Sequence, residues 1–93
     1  MKIIYTKNFQ ISLDYIVEFI ARDSAKRARD FANALKTQIE KIPSMPYSYR
    51  KNRIANDDKI RDLIFKGYVV IFEINAKNIE VLEIYKHNLP RIF

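Results

Sequence analysis

The sequence of 93 residues contains no cysteine, which excludes disulfide bonds and thiol catalysis. No apolar run approaches the roughly 18 residues that a membrane-spanning helix requires, and no stretch resembles a signal peptide, so we expect a cytoplasmic location. Acidic residues do not group as they do in metal sites, because Asp57, Asp58 and Asp62 are neighbours in a loop and strand and indicate solvated charge. We therefore expect neither a metal nor another cofactor.

Acidic side chains are also in the minority. The chain has 11 Asp plus Glu against 17 Lys plus Arg, a net charge of +6 and a pI near 9.7. This balance favours polyanionic partners, either nucleic acid or an acidic protein segment. A chain of this size buries only roughly 60 to 65% of its unfolded surface, so we expect a single domain over residues 1–93 with one core.

Three short apolar runs occupy the C-terminal half, at residues 60–65, 68–74 and 79–85. β-Branched and aromatic residues fill the runs and turn-forming residues separate them, which is typical of an antiparallel meander. The middle run is apolar on both sides and should lie between the other two. In the last run, strict alternation predicts one face with Ile79, Val81, Glu83 and Tyr85 and the other with Glu80, Leu82 and Ile84.

The N-terminal half begins with a short β-branched stretch at residues 2–6 that should pair with one of the later strands. Thr6 or Asn8 can then cap a first helix. One apolar stripe of that helix has helical spacing, namely Phe9, Leu13, Ile16, Val17 and Ile20. A second stripe comprises Ile11, Tyr15 and Phe19, so the helix should contact the sheet on one side and the second helix or a partner on the other.

Ser24 can cap a second helix over residues 25–42, and Pro43 ends it. The connection between the two helices is very short, so the helices should form an antiparallel hairpin. The predicted fold is therefore α+β in the order β-α-α-β-β-β. It has one twisted sheet, formed by the meander and the N-terminal strand, with the helices on one face.

The least regular part is residues 43–58, which interleave aromatic and basic side chains. Cations of this kind can contact phosphates while aromatic rings stack on unpaired bases, so one interpretation is a target-binding or nucleic-acid-binding loop. The candidate residues are Tyr49, Arg50, Lys51 and Arg53. The other interpretation is a connector whose Tyr47 and Tyr49 pack on the sheet edge, and the sequence leaves both open.

Two long segments resemble a known family. They are DYIVEFIARDSAKRARDFANALKTQIEKIPSMP in the helical half and IRDLIFKGYVVIFEINAKNIEVLEIYKH in the sheet. In order and spacing, they resemble the RelE/ParE superfamily of toxins from bacterial type II toxin-antitoxin systems. The helical half is more similar to the ParE branch, whereas the sheet pattern is shared by both branches.

The resemblance implies a toxin that arrests growth and is neutralised by a cognate antitoxin, whose C-terminal segment wraps around it. The basic composition and the second stripe of the first helix independently favour an acidic partner. The candidate antitoxin-binding residues are Ile11, Tyr15, Phe19, Ile92 and Phe93, and we expect the last two to pack against the domain or the antitoxin. An exposed helix side could equally serve a homodimer, so the oligomeric state stays open.

Two mechanisms divide the superfamily. RelE-like members cleave mRNA in the ribosomal A site, which needs proton transfer and cations at the phosphate, without metal. The residues that could supply these groups here are Arg61, Tyr85, Lys86, His87 and Arg91. RelE-like enzymes usually carry an arginine after the aromatic residue of the G-Y motif, where this chain has Val69. We therefore favour ParE-like inhibition of DNA gyrase, with ribonuclease activity and a non-toxic interaction module as alternatives.

Overall fold

The computed structural model describes residues 1–87. Two helices and five strands follow one another along the chain, with the bounds β1 (Lys2–Tyr5), α1 (Lys7–Asp23), α2 (Ala25–Glu40), β2 (Arg50–Lys51), β3 (Ile60–Phe65), β4 (Tyr68–Ile74) and β5 (Asn78–Lys86). Short 3₁₀ segments at Ile42–Ser44 and Pro46–Ser48 lead from α2 into the loop. The predicted order of elements is confirmed, and the loop contributes the additional short strand β2.

The strands form one sheet in the order β1-β5-β4-β3-β2. As predicted, β4 lies between β3 and β5 and pairs antiparallel with both. The N-terminal strand finds its neighbour in β5, and this pair is parallel. The α+β fold class is therefore confirmed, and the sheet is mixed rather than antiparallel throughout.

Side-chain caps define both helix starts. The Thr6 Oγ1 atom accepts a hydrogen bond from the Phe9 N–H at 3.1 Å, and Ser24 Oγ accepts one from the Arg27 N–H at 3.1 Å. These contacts satisfy N–H groups of the first turn that have no partner within the helix. Thr6 and Ser24 are thus the N-caps of α1 and α2, and α2 ends at Glu40, slightly before the predicted end.

The core lies between the helix hairpin and one face of the sheet. Its buried residues come from both helices and the three long strands, including Phe9, Leu35, Ile39, Phe72, Ile79 and Val81. The residues of β4 that face the helices alternate along the strand, as period-two geometry requires. In the part of the chain that the structure describes, no helix has the length and apolarity needed to cross a membrane.

A β-bulge in β5 changes which residues face the core. Phe72 pairs with Val81 and Ile71 pairs with Glu83, so Leu82 has no partner in β4. An extra residue of this kind reverses the alternation beyond it. Val81 and Ile84 are therefore both buried. The face predicted for the residues after Leu82 was wrong, because strict alternation takes no account of a bulge.

Thr6 connects this bulge to the start of α1. Its Oγ1 atom donates a hydrogen bond to the Leu82 carbonyl oxygen at 2.9 Å, and its N–H donates to the Val81 carbonyl oxygen at 3.0 Å. The same Oγ1 atom caps α1. One side chain therefore ties the first helix to the irregular part of the last strand.

Candidate functional site

The second apolar stripe of α1 is exposed to solvent. Ile11, Tyr15 and Phe19 have exposed fractions of 53%, 78% and 65%, whereas the other stripe of the helix packs against the core. Large apolar side chains that lie together on a surface commonly mark a contact site for another molecule. Their spacing of four residues is that of a helix face that packs against a second element. The stripe is the first component of the candidate site.

A groove continues the stripe towards the end of the sheet. It has a volume of about 380 Å³, with α1 on one side and Tyr68, Ile84, Tyr85 and Lys86 on the other. Apolar side chains form most of the groove and Lys86 adds a cation at its edge. Sequence reasoning missed Tyr68 and Ile84 as members, because the bulge in β5 decides the face of Ile84.

A second cleft, next to the groove, brings further basic groups to this end of the molecule. Arg27 and Lys66 line it together with Tyr68, which both depressions share. A hydrogen bond from Lys26 at 2.9 Å and the charges of Lys26, Arg29 and Lys66 lower the pKa of the Asp30 carboxyl. The surface around the β3–β4 turn is therefore apolar in the groove and cationic beside it.

The loop before β3 holds its aromatic and basic residues in different ways. The Tyr49 ring packs edge-on against Phe72, with 5.5 Å between ring centroids, and Arg50 Nε contacts an Asp62 carboxylate oxygen at 3.1 Å. Both residues therefore have structural partners. Tyr49 packs on the sheet, as the connector interpretation expects, whereas Tyr47 is 52% exposed. Lys51 and Arg53 are exposed. Arg50 is exposed as well, with 44% of its side chain accessible, but its guanidinium is engaged by Asp62.

Asp62 is buried, with an exposed fraction of 4%, so its interpretation as solvated charge was wrong. Its carboxylate accepts hydrogen bonds from Asn52 Nδ2 at 2.8 Å and from Arg50 Nε at 3.1 Å. The Asn52 side-chain oxygen in turn accepts from the N–H groups of Ile54 and Ala55. The polar cluster fixes the loop on the sheet, since each buried polar atom has a partner.

Arg61 also holds this loop through hydrogen bonds. Its guanidinium donates to the carbonyl oxygens of Tyr47 at 3.2 Å and Tyr49 at 3.0 Å, and to both the carbonyl and a carboxylate oxygen of Asp58 at 2.9 Å. Only 13% of this side chain is exposed. The donors of Arg61 are thus directed at the protein itself.

The other predicted catalytic residues lie at a different place. Tyr85, Lys86 and His87 are consecutive at the end of β5, and the His87 N–H donates to the Gly67 carbonyl oxygen at 2.7 Å. The register places Arg61 opposite Phe72 and Lys86 opposite Tyr68. The Cα atoms of Arg61 and Lys86 are therefore about 13 Å apart along the strand direction and about 10 Å apart across β4.

The structure therefore brings Tyr85, Lys86 and His87 together and leaves Arg61 apart. Arg91, Ile92 and Phe93 lie outside the described residues. Val69 is fully buried in β4 and offers no cation to a phosphate. Within residues 1–87, no group of three or more His, Cys, Asp or Glu side chains is arranged to hold a metal ion.

Comparisons with known proteins identify the family. The family model described as the ParE toxin of the type II toxin-antitoxin system parDE matches residues 3–88. The comparison with curated proteins found no match. Among solved structures, the fold resembles the one described as the chromosomal ParDE TA system from P. aeruginosa, with a TM-score of 0.77, 16% sequence identity, and 95% of this chain and 97% of that chain covered. Because the family model spans nearly the whole sequence, this chain belongs to the ParE family of type II toxins.

Proposed function

We propose that this protein arrests bacterial growth by inhibiting DNA gyrase in the cytoplasm, as ParE-like toxins do. The position of Arg61 is the observation that favours gyrase inhibition over mRNA cleavage. Its guanidinium is nearly buried and bonded to the loop, and strand geometry places its Cα atom about 16 Å from that of Lys86 at the end of β5. Acid–base cleavage requires its groups within hydrogen-bond reach of one phosphate. The separation takes Arg61 out of the set of candidate catalytic groups, and the buried Val69 supplies no cation in its place, which supports a mechanism without RNA chemistry.

Neutralisation by an antitoxin is the second part of the proposal. The stripe of Ile11, Tyr15 and Phe19 and the adjoining groove offer an apolar surface of the kind that an amphipathic helix covers. The basic groups beside it, Arg27, Lys66 and Lys86, favour a partner with carboxylates. An acidic antitoxin segment seated here would mask the aromatic stripe.

Conditional expression in bacteria tests the proposed function. We expect growth arrest with intact mRNA in primer extension and with induction of the DNA damage response. Co-expression of the antitoxin, which we expect to be a small acidic protein encoded by the adjacent reading frame, should restore growth. Cleavage of mRNA at codons would instead support the ribonuclease alternative, and harmless expression would support a non-toxic interaction module.

Substitution of the stripe tests the antitoxin surface. Because Tyr15 and Phe19 are exposed, the double change Tyr15→Ser and Phe19→Ser should leave the melting temperature nearly unchanged. It should weaken antitoxin binding about 100-fold, since central aromatic residues dominate interface energies. Ile54→Ser is the matched control, because Ile54 is 90% exposed and lies outside the groove. Equal affinity of the double variant and the control would contradict this surface assignment.

A further inference from the structure

The sheet has a second face, on the side away from the helices. Alternate residues of β4 face the core beneath the helices, namely Val70, Phe72 and Ile74. Val69, Ile71 and Glu73 therefore lie on the other side, which we call the outer face. Val69 is nevertheless fully buried. Apolar side chains of the outer face are thus also removed from solvent, although they do not belong to the helix-covered core.

An apolar cleft of about 320 Å³ lies on the outer face. The sheet forms its floor with Ile60, Ile71, Leu82 and Tyr85, and the loop before β3 forms a wall with Asn52, Ile54 and Ala55. Only Asn52 and Tyr85 contribute polar side-chain atoms to this lining. The cleft shares Tyr85 alone with the groove beside α1. Apolar surface of this kind commonly marks a contact site.

Three glutamates lie around the cleft. Glu73 is paired with Glu80 in the ladder between β4 and β5, and Glu83 is paired with Ile71, so all three belong to the outer face. Like charges directly opposite each other destabilise a strand pair. The ion pairs within residues 1–87 are Lys26 with Asp30, Arg50 with Asp62 and Arg61 with Asp58. These pairs include none of the glutamates, so the outer face favours a cation from elsewhere.

The segment that follows the described residues has the matching composition. Its sequence from residue 88 to residue 93 is NLPRIF, in which the cation Arg91 precedes two large apolar residues, Ile92 and Phe93. The apolar pair fits the cleft, and the cation fits the glutamates. The groove beside α1 is a poorer match for this segment, because Lys66 and Lys86 place positive charge near it.

The chain leaves the sheet within reach of the cleft. The His87 N–H donates to the Gly67 carbonyl oxygen at 2.7 Å, so β5 ends beside the β3–β4 turn. Ile71, on the floor of the cleft, is four residues beyond Gly67, which is about 13 Å along β4. Six extended residues span about 20 Å. A segment that turns back over the outer face can therefore bring Ile92 and Phe93 to the cleft.

We propose that residues 88–93 fold back over the outer face, where Ile92 and Phe93 cover the cleft and Arg91 pairs with Glu83. Glu83 is the expected partner because it lies opposite Ile71, which lines the cleft. The contact is intramolecular, so it depends neither on the target of the toxin nor on the antitoxin. It assigns Ile92 and Phe93 to the domain itself and leaves the groove beside α1 to the antitoxin.

Nuclear Overhauser spectroscopy on the isolated protein tests the position of the segment. The Phe93 ring should show contacts with the methyl groups of Ile71 and Leu82. Contacts with Ile11 or Ile84 would place the segment in the groove beside α1 and overturn the proposal. Contacts of the ring anywhere else, or no long-range contact at all, would overturn it as well.

Thermal unfolding measures the stability that the cover contributes. The double change Ile92→Ser and Phe93→Ser should lower the melting temperature by at least about 5 °C, because it exposes the cleft to water. The double change Tyr15→Ser and Phe19→Ser is the matched control, since it alters exposed apolar residues outside the cleft. The control should keep nearly the melting temperature of the wild-type protein. Equal melting temperatures for the two double variants would contradict the proposal.

Two mutant cycles identify the partners of the segment. In an Ile71→Ala background, Phe93→Ala should lower the melting temperature by at most half of its effect in the wild-type background, because residues in contact are not additive. Arg91→Glu combined with Glu83→Arg keeps the net charge and should unfold at least about 2 °C above the value expected from the two single changes in low salt. Additive effects in the first cycle would overturn the docking in the cleft, and additive effects in the second would overturn the pairing of Arg91 with Glu83.

Discussion

The Thr6 hydroxyl makes two hydrogen bonds that a valine side chain of the same shape cannot make. It accepts from the Phe9 N–H at 3.1 Å and donates to the Leu82 carbonyl oxygen at 2.9 Å. Thr6→Val keeps the branched side chain and removes both bonds. Thr6→Ser keeps the hydroxyl and removes one methyl group, so it is the matched control.

The expected cost follows from the two contacts. Loss of a threonine N-cap costs roughly 1 kcal/mol. Loss of the bond to the part-buried Leu82 carbonyl costs about another 1 kcal/mol, because that oxygen is left without its protein donor. The sum of about 2 kcal/mol corresponds to a fall of about 8 to 16 °C in the melting temperature of a chain of this size.

Thermal and urea unfolding, followed by circular dichroism, measure this effect. Thr6→Val should show the full loss, and Thr6→Ser should lose less than about 1 kcal/mol. A valine variant as stable as the serine variant would refute the reasoning, because the hydroxyl would then contribute nothing at the helix start or at the bulge.

Three further outcomes follow from other contacts. Asp62→Ala should destabilise the fold by about 2 to 3 kcal/mol in urea unfolding, because Asn52 and Arg50 lose their buried acceptor, and an unchanged midpoint would contradict that role. Burial and the charge of Glu40 raise the pKa of the Tyr5 hydroxyl above its ordinary value of 10.0. The corresponding stability is present below about pH 10 and is lost as the pH rises through the raised pKa, so Tyr5→Phe should flatten this alkaline loss in thermal unfolding. His87→Ala should leave growth arrest unchanged in an induced culture, since gyrase inhibition needs no proton transfer from this side chain, and loss of arrest would favour the ribonuclease alternative.

The regular elements of the fold could be predicted because each has a local signal. Ser24 separates two helical apolar patterns, and the Lys66-Gly67 pair separates two β-branched runs. Both turn residues adopt positive φ, 48° for Lys66 and 84° for Gly67, as a tight hairpin turn requires. Such signals depend on nearby residues only, so the sequence is enough to read them.

The bulge and the parallel pairing of β1 depend on distant contacts. Nothing in the pattern of β5 distinguishes Leu82 from its neighbours, and its carbonyl partner, the Thr6 hydroxyl, is 76 residues away. A strand as short as β1 must pair with another strand, but its sequence does not identify which one. These features result from three-dimensional packing, which the local pattern does not encode.

The candidate site also has features that the sequence predicts and features that it does not. The helical spacing of Ile11, Tyr15 and Phe19 predicts a surface stripe, and the structure shows those residues exposed. Charge alone does not reveal which cations are already paired. Arg61 and Arg50 are chemically suited to contact phosphates, yet the structure directs Arg61 at loop oxygens and Arg50 at Asp62. A basic residue in a pattern is therefore a candidate only until its partners are known.

The most direct test of the proposed function is a DNA supercoiling assay with purified gyrase and the purified protein. We expect loss of supercoiling with the wild-type protein, equal loss with His87→Ala, and recovery when the antitoxin is added. Full gyrase activity at a molar excess of folded toxin would contradict the proposal.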